Sequence, residues 1–150
     1  QSRSSAASDV YKRQEQLRCS RETPSRYDAC MVGLDYRDRG KLYGAIDRRV
    51  DEMVKSGLPE EAKRVLSLCG ASTALQAIGY KEFIPYFSGE CSLSEAAERV
   101  KLVSRHYAKR QLTWFRRMEN VHWIMVDDYP DFASVCGEAA RVLGERRAAR

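Results

Sequence analysis

The chain reads as an α/β polypeptide, predominantly helical, with two short strands flanking a long helical stretch. Three observations predict this. Ala29-Cys30-Met31-Val32-Gly33-Leu34-Asp35-Tyr36 is an apolar run of strand length whose lack of clean alternation suits a parallel sheet. Val121-His122-Trp123-Ile124-Met125-Val126 is a second buried run, closed by Asp127-Asp128-Tyr129-Pro130. Between them, apolar residues recur at helical spacing, and Ser92-Leu93-Ser94-Glu95 is a capping box that opens the longest helix. Two lone strands make a marginal sheet, so these two are expected to need partners that the chain does not supply.

Residues 1–14 are small and polar without periodicity, and are expected to be disordered or an artefactual tail. Residues 15–150 then form one folded unit. Helical spacing runs from Arg37 to Ser56, with Leu42, Ile46, Val50 and Met53 on one stripe and Gly57 as the stop. Leu58-Pro59-Glu60-Glu61 starts a second helix that ends near Cys69-Gly70; its proline and carboxylates suit a helix amino terminus. A short helical piece from Thr73 to Ala77 leads to Gly79, and Tyr80 to Phe87 adds a turn or two before Ser88-Gly89. After the capping box, Leu93, Ala96, Ala97, Val100, Val103, Tyr107, Trp114, Phe115 and Met118 share one face. A last helix spans Phe132 to Arg147 and ends in a fraying basic tail.

An apolar fraction of 43% and a charged fraction of 31% are ordinary for a soluble globular chain of 150 residues. The net charge of +5 mildly favours an anionic partner. Five scattered cysteines without metal-ligand spacing fit reduced thiols in the cytoplasm. No apolar run is long enough for a membrane span.

Two constellations stand out. On the long helix, Arg105, Lys109 and Arg116 are expected opposite the core stripe, with Arg99, Arg110 and Arg117 on a flank. Such cations either hold phosphates or form a solvated face. Gln111 falls on the apolar side between Tyr107 and the pair Trp114-Phe115, where a buried amide needs a partner, either nearby backbone or the edge of a splayed base. The second constellation, Ala77-Ile78-Gly79-Tyr80-Lys81-Glu82, reads as a phosphate-binding helix start or as a plain turn with Tyr80 packed inside. There is no G-x-x-x-x-G-K-[ST] loop, no nucleophile signature and no metal-ligand set, and Asp127-Asp128 reads as a turn.

Leu42-Tyr43 with Ile46-Asp47 and Arg49-Val50-Asp51-x-Met53, then Gly57-Leu58 with Glu61, then Ala77 to Glu82, then Ala108 to Arg116, resemble tRNA dimethylallyltransferases in order and spacing. The resemblance runs from about Glu15 to Asp127. It implies that residues 15–150 are the carboxy-terminal part of a P-loop NTPase-like prenyltransferase core. The enzyme would move a dimethylallyl group from dimethylallyl diphosphate, with Mg2+, to N6 of the adenosine adjacent to the anticodon. The diphosphate loop and general base would lie upstream, so no catalytic residue and no metal ligand is assigned here.

What carries over is contact with the tRNA anticodon stem-loop. The resemblance gives it to Leu75, Gln76, Ala77, Ile78, Gly79, Tyr80, Lys81 and Glu82, and to Lys109, Arg110, Gln111, Leu112, Thr113, Trp114, Phe115 and Arg116. The protein would be a cytoplasmic monomer, and this part alone would be inactive and would expose apolar surface. The rival expectation is a stand-alone, non-catalytic helical RNA-binding module. One position departs from the family: Ala45 stands where an arginine is usual. Ala45→Arg in a completed enzyme is expected to raise turnover, and unchanged steady-state kinetics would count against that.

Overall fold

The computed structural model describes residues 29–69 and 77–148. The expected tail at 1–14, the helical piece from Thr73 to Gln76 and the last two residues lie outside them. The chain order is β1 (Met31–Asp35), α1 (Arg39–Lys55), α2 (Leu58–Cys69), a 3-10 turn (Lys81–Phe83), α3 (Ile84–Phe87), α4 (Leu93–Phe115), β2 (Val121–Met125), a second 3-10 turn (Val126–Asp128) and α5 (Phe132–Ala148). The mainly helical α/β class is therefore as the sequence predicts.

The two strands pair with each other in parallel, Met31 opposite Val121 through Asp35 opposite Met125. The parallel character was legible in the apolar run. The expectation of missing partners is answered in part, because each strand finds the other, and no third strand joins them among the described residues. Gly33 lies opposite Trp123, and a Cβ on it would sit 2.8 Å from the indole ring. Gly33→Ala should therefore displace Trp123 and cost about 1–3 kcal/mol, the range for overpacking. An unchanged urea midpoint would count against this.

Helix α1 starts two residues later than its periodicity suggests, because Asp38 is its cap: the Asp38 carboxylate accepts the Gly40 N–H at 2.7 Å. The main core joins α1, α2, α4 and the first 3-10 turn through Val50, Ala62, Phe83, Ala96 and Val100, all buried. The last helix packs against β2, and Ile124 on the strand and Val135 and Val142 on the helix are buried. Ion pairs Lys101–Asp51 (2.7 Å) and Arg105–Asp47 (2.8 Å) line the seam between α4 and α1, and their order makes the two helices antiparallel.

The capping box of α4 forms as expected. Glu95 N–H donates to the Ser92 hydroxyl at 3.2 Å, and Ser92 N–H donates to the Glu95 carboxylate at 2.8 Å. The backbone N–H of Ser92, and then its hydroxyl, hold the Glu95 carboxyl below its ordinary range. A depressed carboxyl contributes stability that is present above its unfolded pKa and lost as pH falls through the folded one. Ser92→Ala should cost about 1 kcal/mol at neutral pH. The gap to the parent should narrow in acid, which melting curves across a pH series would check.

Candidate nucleic-acid interface

The Ala77–Glu82 segment is a turn built around its own polar groups. Gly79 has φ +99°, a left-handed conformation that L side chains rarely adopt, and its N–H donates to Glu82 Oε2 at 2.8 Å. Gly79 and Glu82 are buried, with Phe83 directly beneath. Tyr80 packs against the core and donates its hydroxyl to Glu61 Oε1 at 2.5 Å; that bond, with burial, raises the phenol pKa. Of the two readings of this segment, the geometry favours the turn with Tyr80 packed inside. Ala77 and Lys81 remain exposed. Glu82 Oε1 has no hydrogen-bond partner among the described residues and lies 4.0 Å from the Lys81 ammonium.

The far end of α4 departs from the helical wheel in three ways. The apolar stripe is covered only over its first half: Ala96, Ala97 and Val100 are buried, whereas Tyr107, Trp114 and Phe115 are 46%, 59% and 40% exposed. Arg105 is half-buried and Arg116 stays exposed as expected, but neither guanidinium is free. They turn toward α1 and β1, onto Asp47 and Asp35, because long side chains carry their charge around a helix to a carboxylate. Gln111, expected to be buried and in need of a partner, is exposed, so water satisfies its amide. Arg110 lies over the Tyr107 ring at 5.7 Å, and Trp114 meets Phe115 edge-on at 4.9 Å. Thr113 bonds back to the Lys109 carbonyl at 2.9 Å, and Leu112 is half-buried.

The two segments singled out in the sequence meet. A cleft of about 800 Å³ is lined by Ala77, Ile78 and Lys81 from the turn, by Tyr107, Arg110 and Gln111 from α4, and by Arg49 from α1. Arg49 and Arg110 carry no ion pair among the described residues. Arg49 lines the cleft although the sequence expectation did not include it; its signal is the Arg49-Val50-Asp51 motif. Gln111 also borders a second, mainly apolar cavity of about 570 Å³, between β1 and α4, that includes Asp35, Phe115 and Trp123. A shallower groove of about 320 Å³ is formed by Lys109, Arg110, Thr113, Trp114 and Arg117. Leu75 and Gln76 lie outside the described residues.

Asp127 and Asp128 are engaged by the consecutive residues Arg37 and Asp38. Asp127 accepts the backbone N–H groups of Arg37 (2.9 Å) and Asp38 (3.1 Å), and Asp128 takes the Arg37 guanidinium at 2.8 Å. These bonds hold both carboxyls below their usual range. The pair closes the end of the sheet as a 3-10 turn, in keeping with the sequence reading.

Fold and cleft together define an α/β chain with a parallel strand pair and a cation-lined cleft between helices. Comparison with known proteins supplies the family. The family model described as IPP transferase matches residues 2–118. A tRNA dimethylallyltransferase of Enterococcus faecalis is 55% identical over 104 residues, 69% of this chain and 33% of its own length. One from Thermoanaerobacter sp. is 48% identical over 108 residues, 71% of this chain and 34% of the relative. Among solved structures, the tRNA delta(2)-isopentenylpyrophosphate transferase of Staphylococcus epidermidis superposes with TM-score 0.72 at 37% identity, over 81% of this chain and 40% of that one. The full-length tRNA isopentenylpyrophosphate transferase of Bacillus halodurans gives 0.69 at 39% identity, over 98% and 50%. This chain belongs to the IPP transferase family. It spans about a third of the length of the curated relatives it matches.

Proposed function

We propose that this chain supplies tRNA-binding helices to a tRNA dimethylallyltransferase, one that prenylates N6 of the adenosine adjacent to the anticodon. The observation that carries the reading is the single cleft in which Arg49, Lys81 and Arg110 converge beside the exposed ring of Tyr107. Cations there would hold the phosphates of an anticodon stem-loop, and exposed aromatic rings would receive unstacked bases. Adenine must leave its stack before N6 reaches an allylic carbon. The N6–carbon bond then forms as the carbon–oxygen bond to diphosphate breaks, the diphosphate leaves with the electron pair, and N6 gives up a proton.

No residue of this chain is assigned the proton or the diphosphate. Magnesium belongs to the proposal through the family alone. Among the described residues no acidic cluster would hold it: Asp35 and Asp128 pair with arginines and Asp127 accepts two backbone N–H groups, and no step is routed through it here. The two strands would extend a P-loop NTPase-like sheet supplied by the rest of the enzyme. No helix among the described residues is long and apolar enough to cross a membrane, and a cytoplasmic monomer is the proposed state.

Two assays test the reading. The chain should bind an anticodon stem-loop RNA with an affinity that falls steeply with salt, and transfer no prenyl group by itself. Joined to the remaining sequence of a relative, it should restore prenyl transfer to tRNA. RNA binding without restored transfer would favour a stand-alone, non-catalytic RNA-binding module, and salt-independent or absent binding would sink both.

A further inference from the structure

We propose that Asp35 is a positioning residue, a buried carboxylate at the carboxyl end of β1 that captures Arg116 and sets the pose in which the end of α4 meets RNA. The proposal rests on the RNA-binding reading above. It also gives Arg116 a positioning role in addition to the tRNA contact that the family resemblance implies.

Asp35 is only 2% exposed, yet it is fully engaged. It accepts the Tyr36 N–H at 2.8 Å, the Arg39 guanidinium at 3.0 and 3.4 Å, and the Arg116 guanidinium at 2.5 Å. The Arg116 side chain is 53% exposed, but the carboxylate it bonds is buried, and a buried carboxylate that loses a partner is costly, which favours keeping Arg116 in place. The bond uses one nitrogen of a guanidinium whose side chain stays 53% exposed, so whether Arg116 also meets a phosphate is decided by the salt series below. The segment following Asp35 is itself clamped, because Arg37 is tied to both Asp127 and Asp128. The carboxylate is thus a fixed point to which the helix end is attached.

The helix needs such a point. Val100 is the last buried residue of α4, and the helix continues to Phe115, roughly 22 Å further at 1.5 Å per residue. Along that length Arg105 meets Asp47 on α1, and at the tip Arg116 meets Asp35. Trp114 and Arg117, on either side of Arg116, form part of the shallow cationic groove and inherit their placement from that bond.

Anisotropy titrations of a labelled anticodon stem-loop RNA across a salt series separate an anchor from a ligand. Lys109→Gln should lower the slope of log affinity against log salt by about 0.7–0.9, as loss of one phosphate contact does. Arg116→Gln should weaken binding several-fold at every salt concentration and leave the slope unchanged, with Arg116→Lys recovering part of the loss. Asp35→Asn should weaken binding as well. That sign is diagnostic, since removing a carboxylate without a positioning effect makes the surface more cationic and tightens RNA binding.

A slope drop for Arg116→Gln equal to that of Lys109→Gln would make Arg116 a phosphate ligand and overturn the proposal. So would an Asp35→Asn chain that binds as well as the parent, or better. Thermal melts of Asp35→Asn, Arg116→Gln and the double variant should be non-additive, and additive shifts would overturn the anchor. A parent that ignores RNA while the melts remain non-additive would sink the RNA-binding reading and leave the anchor standing.

Discussion

A chain carrying Arg49→Gln, Lys81→Gln and Arg110→Gln together is expected to lose most of the salt dependence of its RNA binding. At about 0.7–0.9 per phosphate contact, three contacts account for a slope of about 2.1–2.7. That corresponds to roughly 20- to 40-fold in affinity between about 50 and 200 mM salt. The three side chains lie in one cleft and come from α1, the turn at Lys81, and α4. Arg49 and Arg110 are exposed, and the Lys81 ammonium has only the 4.0 Å approach of Glu82. Glutamine keeps most of each stem, so the packing they contribute should survive. Arg105→Gln is the matching control, because its guanidinium is already spent on Asp47 at 2.8 Å. Salt titrations in which the triple variant and the control behave alike would show that the cleft is not an RNA surface.

The largest effect on stability is expected at Phe83. It has no exposed surface, it sits among Val50, Ala62, Ala96 and Val100, and it stacks on Phe87 at 6.2 Å between ring centres. Phe83→Ala should cost about 3–5 kcal/mol, the loss of transfer energy plus the cavity left behind. In a chain of this size the midpoint of thermal unfolding should fall by roughly 10 °C. The functional consequence follows from position. Phe83 comes directly after Glu82, whose carboxylate holds Gly79 in its left-handed turn and thereby places Lys81. RNA affinity should therefore fall with stability in this variant, whereas Ser92→Ala should lower stability alone. A change under about 1 kcal/mol at Phe83 would mean that the cluster is not the core.

Much of the fold was legible because its signals are local. Ser92 and Glu95 define a helix start within four residues, and both reciprocal bonds form. Gly57 at φ +99° ends a stretch whose stripe of Leu42, Ile46, Val50 and Met53 already required a helix. The apolar run from Met31 to Asp35 predicted a parallel strand, and it pairs in parallel with Val121–Met125. The segments at Ala77–Glu82 and Lys109–Arg116 stood out through composition, and the described part of the first shares a cleft with residues of the second.

The errors fell where a side chain's partner is distant in sequence. A helical wheel assigns one apolar face to all 23 residues of α4, but neighbours cover only part of that face, which leaves Trp114 at 59% exposure and Gln111 open to water. The same wheel put Arg116 on the solvent side, where it is exposed, but gave no sign that it bonds a carboxylate 81 positions earlier. Asp35 was read only as the end of an apolar run, since nothing local distinguishes a buried, doubly paired aspartate from an exposed one. The sequence by itself determined the helices, the caps, the strand character and the family, because periodicity and short motifs act over a few residues. Which cations stay free to meet phosphate, and which are held by Asp35 and Asp47, was decided by the tertiary structure alone. Charge pairing depends on distances that only the packed chain sets.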